Sequence, residues 1–371
     1  QPEECTCETL CTEDNINEDC PVCGAEDAEP TACKGLEALP ATLSNALPAT
    51  ALAAAEGAPS SLYVGNYQIT SGDTPTYLKA GSTAGSLVVG SENDWTVKYE
   101  PSTATLTLNG ATIQGGTSTG TVPYGAGIYA QCSNGQSVTL TIKLIGENTI
   151  TGYYGIYVNA EISADSNGTD ASLTITSENN GSLEVSGSNY GIFVKSGTGN
   201  ASLTIINASV DAKTTQTNSG YAGVYVQSSI RATDSPQLSL AVNGGSLTTS
   251  ASEGNDGIQF YVGSSQATGA TTSLTVSENA IVDARNGGIS ALKISETLPT
   301  PTPTGDNRSG IVFNGTEGTV YGNVSLNENL TIGEGESLTI PDGASLTIDS
   351  GATLTVNGGE LTGNIPTNGV V

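Results

Sequence analysis

A unit of roughly 33 residues carrying three short strands recurs through most of this chain, and it constrains the fold more than any other feature. One strand type recurs as Gly127-Ile128-Tyr129-Ala130, Gly155-Ile156-Tyr157-Val158, Gly191-Ile192-Phe193-Val194 and Gly223-Val224-Tyr225-Val226. Weaker copies follow at Gly257-Ile258, Gly288-Ile289 and Gly310-Ile311. A second type lies between them, at Leu140-Thr141-Ile142, Leu173-Thr174-Ile175, Leu203-Thr204-Ile205, Leu238-Ser239-Leu240 and Leu274-Thr275-Val276. A third follows each second one, at Ile150, Leu183, Val210, Leu247 and Val282.

Side chains alternate along a strand, so the Leu and Ile of each Leu-Thr-Ile share one face while the Thr takes the other. The same alternation sets the aromatic of each Gly-Ile-Tyr-Val opposite the Ile and Val. Each unit then presents three small apolar patches that only a stacked neighbour covers. These constraints predict an all-β chain: a right-handed parallel β-helix, or solenoid, with coils of about 33 residues over 61–329. In 330–371, Leu330, Leu338, Leu346 and Leu354 fall about eight residues apart. That spacing predicts a narrower continuation in which two strand-and-turn units make one coil. Asn109, Asn148, Asn179, Asn207, Asn243 and Asn279 follow the second strand type and suit a corner stack that bonds from coil to coil.

Residues 1–34 differ from everything after them. They hold Cys5, Cys7, Cys11, Cys20, Cys23 and Cys33 among Glu and Asp, with few aliphatic residues. So short and polar a segment buries too little to fold unaided, and needs covalent or metal staples. Disulfides are the default in an exported chain; zinc is the rival, since Cys20-Pro21-Val22-Cys23-Gly24 has the form of a zinc knuckle. Residues 35–60 read as an Ala-, Leu- and Pro-containing linker. Cys132 falls on the inward side of its strand and reads as a buried free thiol.

The chain lacks Met, and the reading that follows is removal of a secretory signal before Gln1, giving a secreted or cell-surface protein. No apolar run is long enough to insert in a bilayer. With 10 basic and 37 acidic residues the formal charge is -27, which disfavours nucleic acid as a partner. The absence of His removes the commonest acid–base group near neutral pH.

"DWTVKYEPSTATLTLNGATI" (94–113), "LIGENTITGYYGIYV" (144–158), "GTVYGNVSLNENLTIGEGESLTIPDGASLTI" (318–348) and the opening "CTCETLCTEDNINEDCPVCG" resemble exported surface proteins of gut Firmicutes. Those carry pectate-lyase-like β-helix repeats and are often described as carbohydrate-binding-domain-like. The resemblance covers nearly the whole chain and implies architecture and export more than activity. This sequence departs from many of them in showing no wall anchor.

Enzymes of this architecture use Arg or Lys beside calcium-binding carboxylates, or clustered carboxylates on adjacent coils. Here Lys143, Lys195, Lys213, Arg231, Arg285, Lys293 and Arg308 scatter over different coils. Asp283, Arg285 and Lys293 form the one loose acid–base grouping, and read as solvated strand exteriors. Asp165 and Asp170 fit a turn. The expectation is therefore a non-catalytic protein with no cofactor. Beyond the Cys-rich segment, the one metal the sequence suggests is calcium, at turns bearing Asp165, Asp170, Asp256, Asp342 or Asp349, none with calcium-loop spacing.

The residues singled out for binding are Tyr129, Tyr157, Phe193 and Tyr225, an outward ladder if the coils stack in register, flanked by Tyr154 and Tyr190. Exposed rings suit sugar faces or a partner's apolar segment; stacking for sheet stability, or cover from the linker, is the plainer use. Two functions follow. The first is a structural surface protein that self-associates into filaments through the β-helix ends and the Cys-rich tail. The second is a glycan-binding adhesin using the ladder.

Overall fold

A computed structural model describes residues 54–69, 72, 74–118, 124–132, 135–160, 169–229, 235–294, 296–366 and 368–370. The six cysteines from Cys5 to Cys33, the linker as far as residue 53, Asp165 and Arg231 lie outside the described residues. The described residues all belong to the compact unit Leu52–Val371.

Stacked parallel strands form a β-solenoid of about six turns. The single helical element among the described residues is a 3-10 turn at Pro101–Thr103. Three sheets run the length of the body. In the aromatic sheet Ile128, Ile156, Ile192, Val224, Ile258 and Ile289 occupy one column. In the Leu-Thr-Ile sheet the column is Leu106's neighbour strand onward: Leu140, Leu173, Leu203, Leu240 and Leu274. The third sheet aligns Ile113, Ile150, Val185 and Ala212.

The alternation read from the sequence is the one observed. Leu173 and Ile175 are fully buried while Thr174 between them is partly exposed, and the same holds for Leu203, Thr204 and Ile205. Each buried Leu or Ile contributes about 1.5–3 kcal/mol relative to exposure, and a coil supplies several such residues. These side chains, with Cys132 among them, form one continuous core. Cys132 is a free thiol, buried as its inward position required, and its Sγ donates to the Ala58 carbonyl at 3.2 Å.

The glycine that opens each aromatic-sheet repeat is there for space. A Cβ on Gly191 would lie 2.7 Å from the Gly223 carbonyl oxygen and 2.8 Å from the Lys213 nitrogen, both backbone. A Cβ on Gly223 would lie 2.6 Å from the Ala212 oxygen. At this corner the third sheet turns into the aromatic sheet so tightly that no side chain fits.

The strands within residues 61–100, read from the sequence as part of the parallel β-helix, pair antiparallel instead. Ser61–Val64 pairs with Tyr67–Ile69 on one side and with the first aromatic-sheet strand on the other. Val97–Glu100 pairs antiparallel with Thr105–Asn109, and Thr76–Ala80 bridges Val97–Glu100 to Leu87–Val89. Two of the three sheets thus close at this end with antiparallel strands, and the outermost are only three residues long. Short edges leave little backbone for another chain to pair with.

At the other end, three sequence expectations need correction. Gly310-Ile311 is not a copy of the aromatic-sheet motif: Ile311 pairs with Ile281, in the third sheet. The Leu-Thr-Ile strand before it has dwindled to a single bridge between Leu274 and Pro303, because the Thr-Pro alternation there removes backbone donors. The chain then reverses at Gly315 and Glu317–Tyr321 runs back against Gly310–Asn314. Last, the narrow coils use three strand-and-turn units each, not two. Ser337 aligns with Glu360, Asn323 with Ser345 and Leu330 with Leu354, so one coil takes roughly 23 residues. Two strands alone would leave Leu330, Leu338 and Leu346 no enclosed interior; three place them in a second core with Ile311 and Phe313.

Asn148, Asn243 and Asn279 do bond between coils, but to backbone and serine. Asn148 Oδ1 accepts from the Ala111 N–H at 2.9 Å while its Nδ2 donates to Ser182 O at 3.3 Å. Asn243 Oδ1 accepts from the Ser277 hydroxyl at 2.9 Å. Asn207 and Asn279 hold left-handed backbone, with φ of 51° and 62°.

Candidate functional site: a tyrosine band on one sheet

Tyr129, Tyr157, Phe193 and Tyr225 align in register on consecutive strands, on the face opposite the core. Tyr63, on the antiparallel closing strand, pairs with Tyr129 and extends the column by one ring. Beyond Tyr225 the column continues as Gln259 and the rings stop. Tyr157 and Phe193 stack at 4.6 Å with an interplanar angle of 3°, and Phe193 meets Tyr225 edge-on at 5.2 Å. Aromatic pairs of this kind contribute about 0.5–1.5 kcal/mol each beyond their buried area.

The ladder faces outward but is not exposed, which corrects the sequence reading. Tyr129 is 1% accessible, Tyr157 6%, Phe193 7% and Tyr225 7%. A second row of rings lies against the first. Tyr154 lies 5.0 Å from Tyr157 and 5.9 Å from Phe193. Tyr190 lies 4.9 Å from Phe193 and 4.5 Å from Tyr225, and Tyr124 covers Tyr129 and Tyr157 at 5.6 and 5.9 Å. Tyr153 and Tyr221 join at the margin, and Tyr261 stacks on Tyr225 at 6.1 Å. The two rows form an apolar cluster of their own, separate from the solenoid core.

The upper row is what solvent meets. Tyr63, Tyr153, Tyr154, Tyr190, Tyr221 and Tyr261 are partly exposed, and Tyr124 is 46% accessible on left-handed backbone with φ 58°. Sequence reasoning placed Tyr154 and Tyr190 beside the ladder and missed Tyr124, Tyr153 and Tyr221. The signal was present: an aromatic stands one to three residues before the corner glycine in several repeats, as in Tyr153-Tyr154-Gly155 and Tyr221-Ala222-Gly223.

Burial among other rings pushes the Tyr157 hydroxyl well above the ordinary tyrosine range, and raises Tyr154, Tyr190 and Tyr225 too, with neighbouring hydroxyls adding to the effect. These phenols stay neutral donors at physiological pH. Beside the buried ring column runs a polar column two residues further along each strand: Gln131, Asn159, Lys195 and Gln227.

The loose acid–base grouping has another use than the solvated exterior expected of it. Arg285 is bonded to Asp283 through Nε at 2.9 Å and to Glu336 through Nη1 at 2.8 Å, and lies 4.6 Å from the centre of the Phe313 ring. Lys293 lies 3.8 Å from Glu296, outside that network. Asp170 Oδ1 accepts from the Asn200 N–H at 2.6 Å, while Asp342 and Asp349 are exposed. Among the described residues no three His, Cys, Asp or Glu side chains gather as metal ligands.

Two grooves lie away from the band. One, of about 890 Å³, borders Glu56, Cys132, Gln136 and Asp170. Another, of about 490 Å³, runs past Trp95 over the Leu-Thr-Ile face, where Lys98 pairs with Glu100 and Lys143 with Glu178. No helix of the described residues is long and apolar enough to cross a membrane. Comparison of the chain with known protein families, curated proteins and solved structures finds no match.

Proposed function

We propose that this is a non-catalytic, secreted or cell-surface protein whose β-solenoid body presents the tyrosine band as a glycan-binding face. The observation that carries this reading is the two-layer arrangement of the rings. The lower row is packed and fixed by the sheet, so the half-exposed upper row is held in place before any ligand arrives. A preorganised aromatic surface loses little side-chain entropy on binding. Neutral phenol hydroxyls and flat ring faces match the C–H faces and hydroxyl groups of sugars. The non-catalytic part of the reading is supported by Arg285 and Asp283, whose hydrogen-bonding groups are spent on each other and on Glu336.

The test is a glycan array probed with the intact protein and with Tyr124→Ala and Tyr190→Ala variants. Retention of particular glycans by the wild type, weakened about tenfold or more in either variant, is expected. Equal retention by all three proteins would reject the band as the binding face.

Self-assembly into a structural filament is the second reading. It is favoured by Val88 and Val89, 45% and 65% exposed on the edge strand Leu87–Val89. Light scattering of the wild type against a Val88→Lys, Val89→Lys variant tests it. An assembly that the double variant abolishes would favour this reading, and a wild-type monomer at high concentration would sink it.

A further inference from the structure

The chain carries 37 acidic residues against 10 basic ones, so a lysine has carboxylates in easy supply. Among the described residues, Lys79, Lys98, Lys143, Lys213 and Lys293 each pair with an Asp or Glu. Lys195 does not. It projects from the outer face of the aromatic sheet, two residues beyond Phe193, and partial burial lowers its pKa from the ordinary lysine value. An ammonium held partly out of water without a counter-charge is costly, and the cost falls when an anion arrives.

The neighbouring residue points the same way. Asn159 is paired in register with Lys195 on the adjacent strand, about 4.8 Å away across the sheet. Asn159 is only 7% accessible, its Nδ2 donates to the Tyr129 hydroxyl at 3.4 Å, and its Oδ1 has no hydrogen-bond partner. A buried acceptor left unpaired is costly, and a donor on a ligand would recover that cost. Gln131 and Gln227 continue the same column on either side.

We propose that Lys195 and Asn159 form an anchor for an acidic saccharide, Lys195 taking a sugar carboxylate and the Asn159 side chain turning to bring its buried, unpaired Oδ1 to a sugar hydroxyl. The inference rests on the reading of the tyrosine band as a glycan-binding face and adds the charge class of its ligand. Two residues of strand set the anchor about 7 Å from the ring column, within the span of a disaccharide resting on the tyrosines. A neutral ligand would offer Lys195 hydroxyl acceptors but no counter-charge; a sulfated one would satisfy its charge with a different geometry.

The experiment compares matched pairs on the intact protein by calorimetric titration: lactose against 3′-sialyllactose, and cellobiose against its glucuronic-acid-terminated counterpart. The variants are Lys195→Gln, Lys195→Arg and Tyr190→Ala, each first shown to keep the wild-type circular dichroism and melting temperature. At least one acidic member is expected to bind tenfold or more tighter than its neutral partner. Lys195→Gln should remove that preference and leave neutral binding in place, while Lys195→Arg should keep most of it. Neutral and acidic sugars binding alike, with Tyr190→Ala weakening both, would overturn the anchor and leave the band standing. A preference that survives Lys195→Gln would overturn it as well. Absence of binding by every sugar would remove both the anchor and the reading it rests on.

Discussion

Arg285 reaches from the last wide coil to Glu336 in the first narrow one, closing a 2.8 Å ion pair across 51 residues of chain. The same guanidinium holds Asp283 through two of its nitrogens, donates to the Thr331 carbonyl at 2.7 Å and lies over the Phe313 ring. Phe313 belongs to the narrow core and Asp283 to a wide-coil strand, so one side chain fastens the two cross-sections together.

Replacing Arg285 should therefore loosen the junction. Arg285→Ala leaves Asp283, 14% exposed, without its cation, and is expected to cost about 2–3 kcal/mol. Arg285→Lys should recover only part, because an ammonium cannot hold two carboxylates and a carbonyl in the same fork. Chemical denaturation of the three proteins measures this, with hydrogen exchange locating the loss at 317–363. Wild-type stability in Arg285→Ala would mean the clamp is incidental.

The corner glycines make a second prediction. Gly191→Ala adds a methyl group against three backbone atoms that cannot rotate away, so the coils must separate locally. A cost of about 1–3 kcal/mol is expected, as for overpacking generally. Gly220→Ala is a useful contrast: its Cβ would meet nothing within 4 Å, and its φ of 97° isolates the conformational penalty. Equal melting temperatures for wild type and Gly191→Ala would contradict the close approach.

Alkali should attack the ring band and the closing strands. Tyr99, on the antiparallel strand Val97–Glu100 with its ring in the core, has its hydroxyl pushed up to about 12, chiefly by burial. A tyrosine whose pKa is raised on folding stabilises the fold fully below the unfolded value near 10. That contribution falls as pH rises above about 10 and is lost through the folded value. The band tyrosines shift in the same direction. Stability followed by denaturation should thus be flat to about pH 9 and drop between about pH 10 and 12. Tyrosinate absorbance should rise in step with unfolding for the buried rings. Smooth titration of every tyrosine near 10, with the fold intact, would refute the burial.

The repeat was legible because it depends on strand alternation: Leu-Thr-Ile can bury Leu and Ile together in only one way. What covers the outer face was not legible. Alternation puts Tyr157 opposite Ile156 and Val158, but it says nothing of Tyr154 and Tyr124, which fold over it from the preceding corner. Gly310-Ile311 misled because a glycine followed by isoleucine suits more than one corner, and only its pairing with Ala280 and Ile281 distinguishes them. The antiparallel closing strands were visible in hindsight at Val64-Gly65-Asn66-Tyr67, a two-residue hairpin loop between apolar residues, with φ 57° at Gly65. The partner of Arg285 could not be read at all, since it depends on where the narrow coil docks.

The most direct test of the proposal that the tyrosine band binds glycans is tyrosine nitration of the intact protein, mapped by mass spectrometry, with and without a saccharide retained on the array. Without sugar, Tyr124 should react first and Tyr129 and Tyr157 scarcely, as their 46%, 1% and 6% accessibilities require. With sugar at saturation, Tyr124, Tyr154 and Tyr190 should be protected together while the partly exposed Tyr67, Tyr77 and Tyr321, outside the band, react as before. Unchanged nitration of these three in the presence of a bound sugar would contradict the account and move the binding face off the tyrosine band.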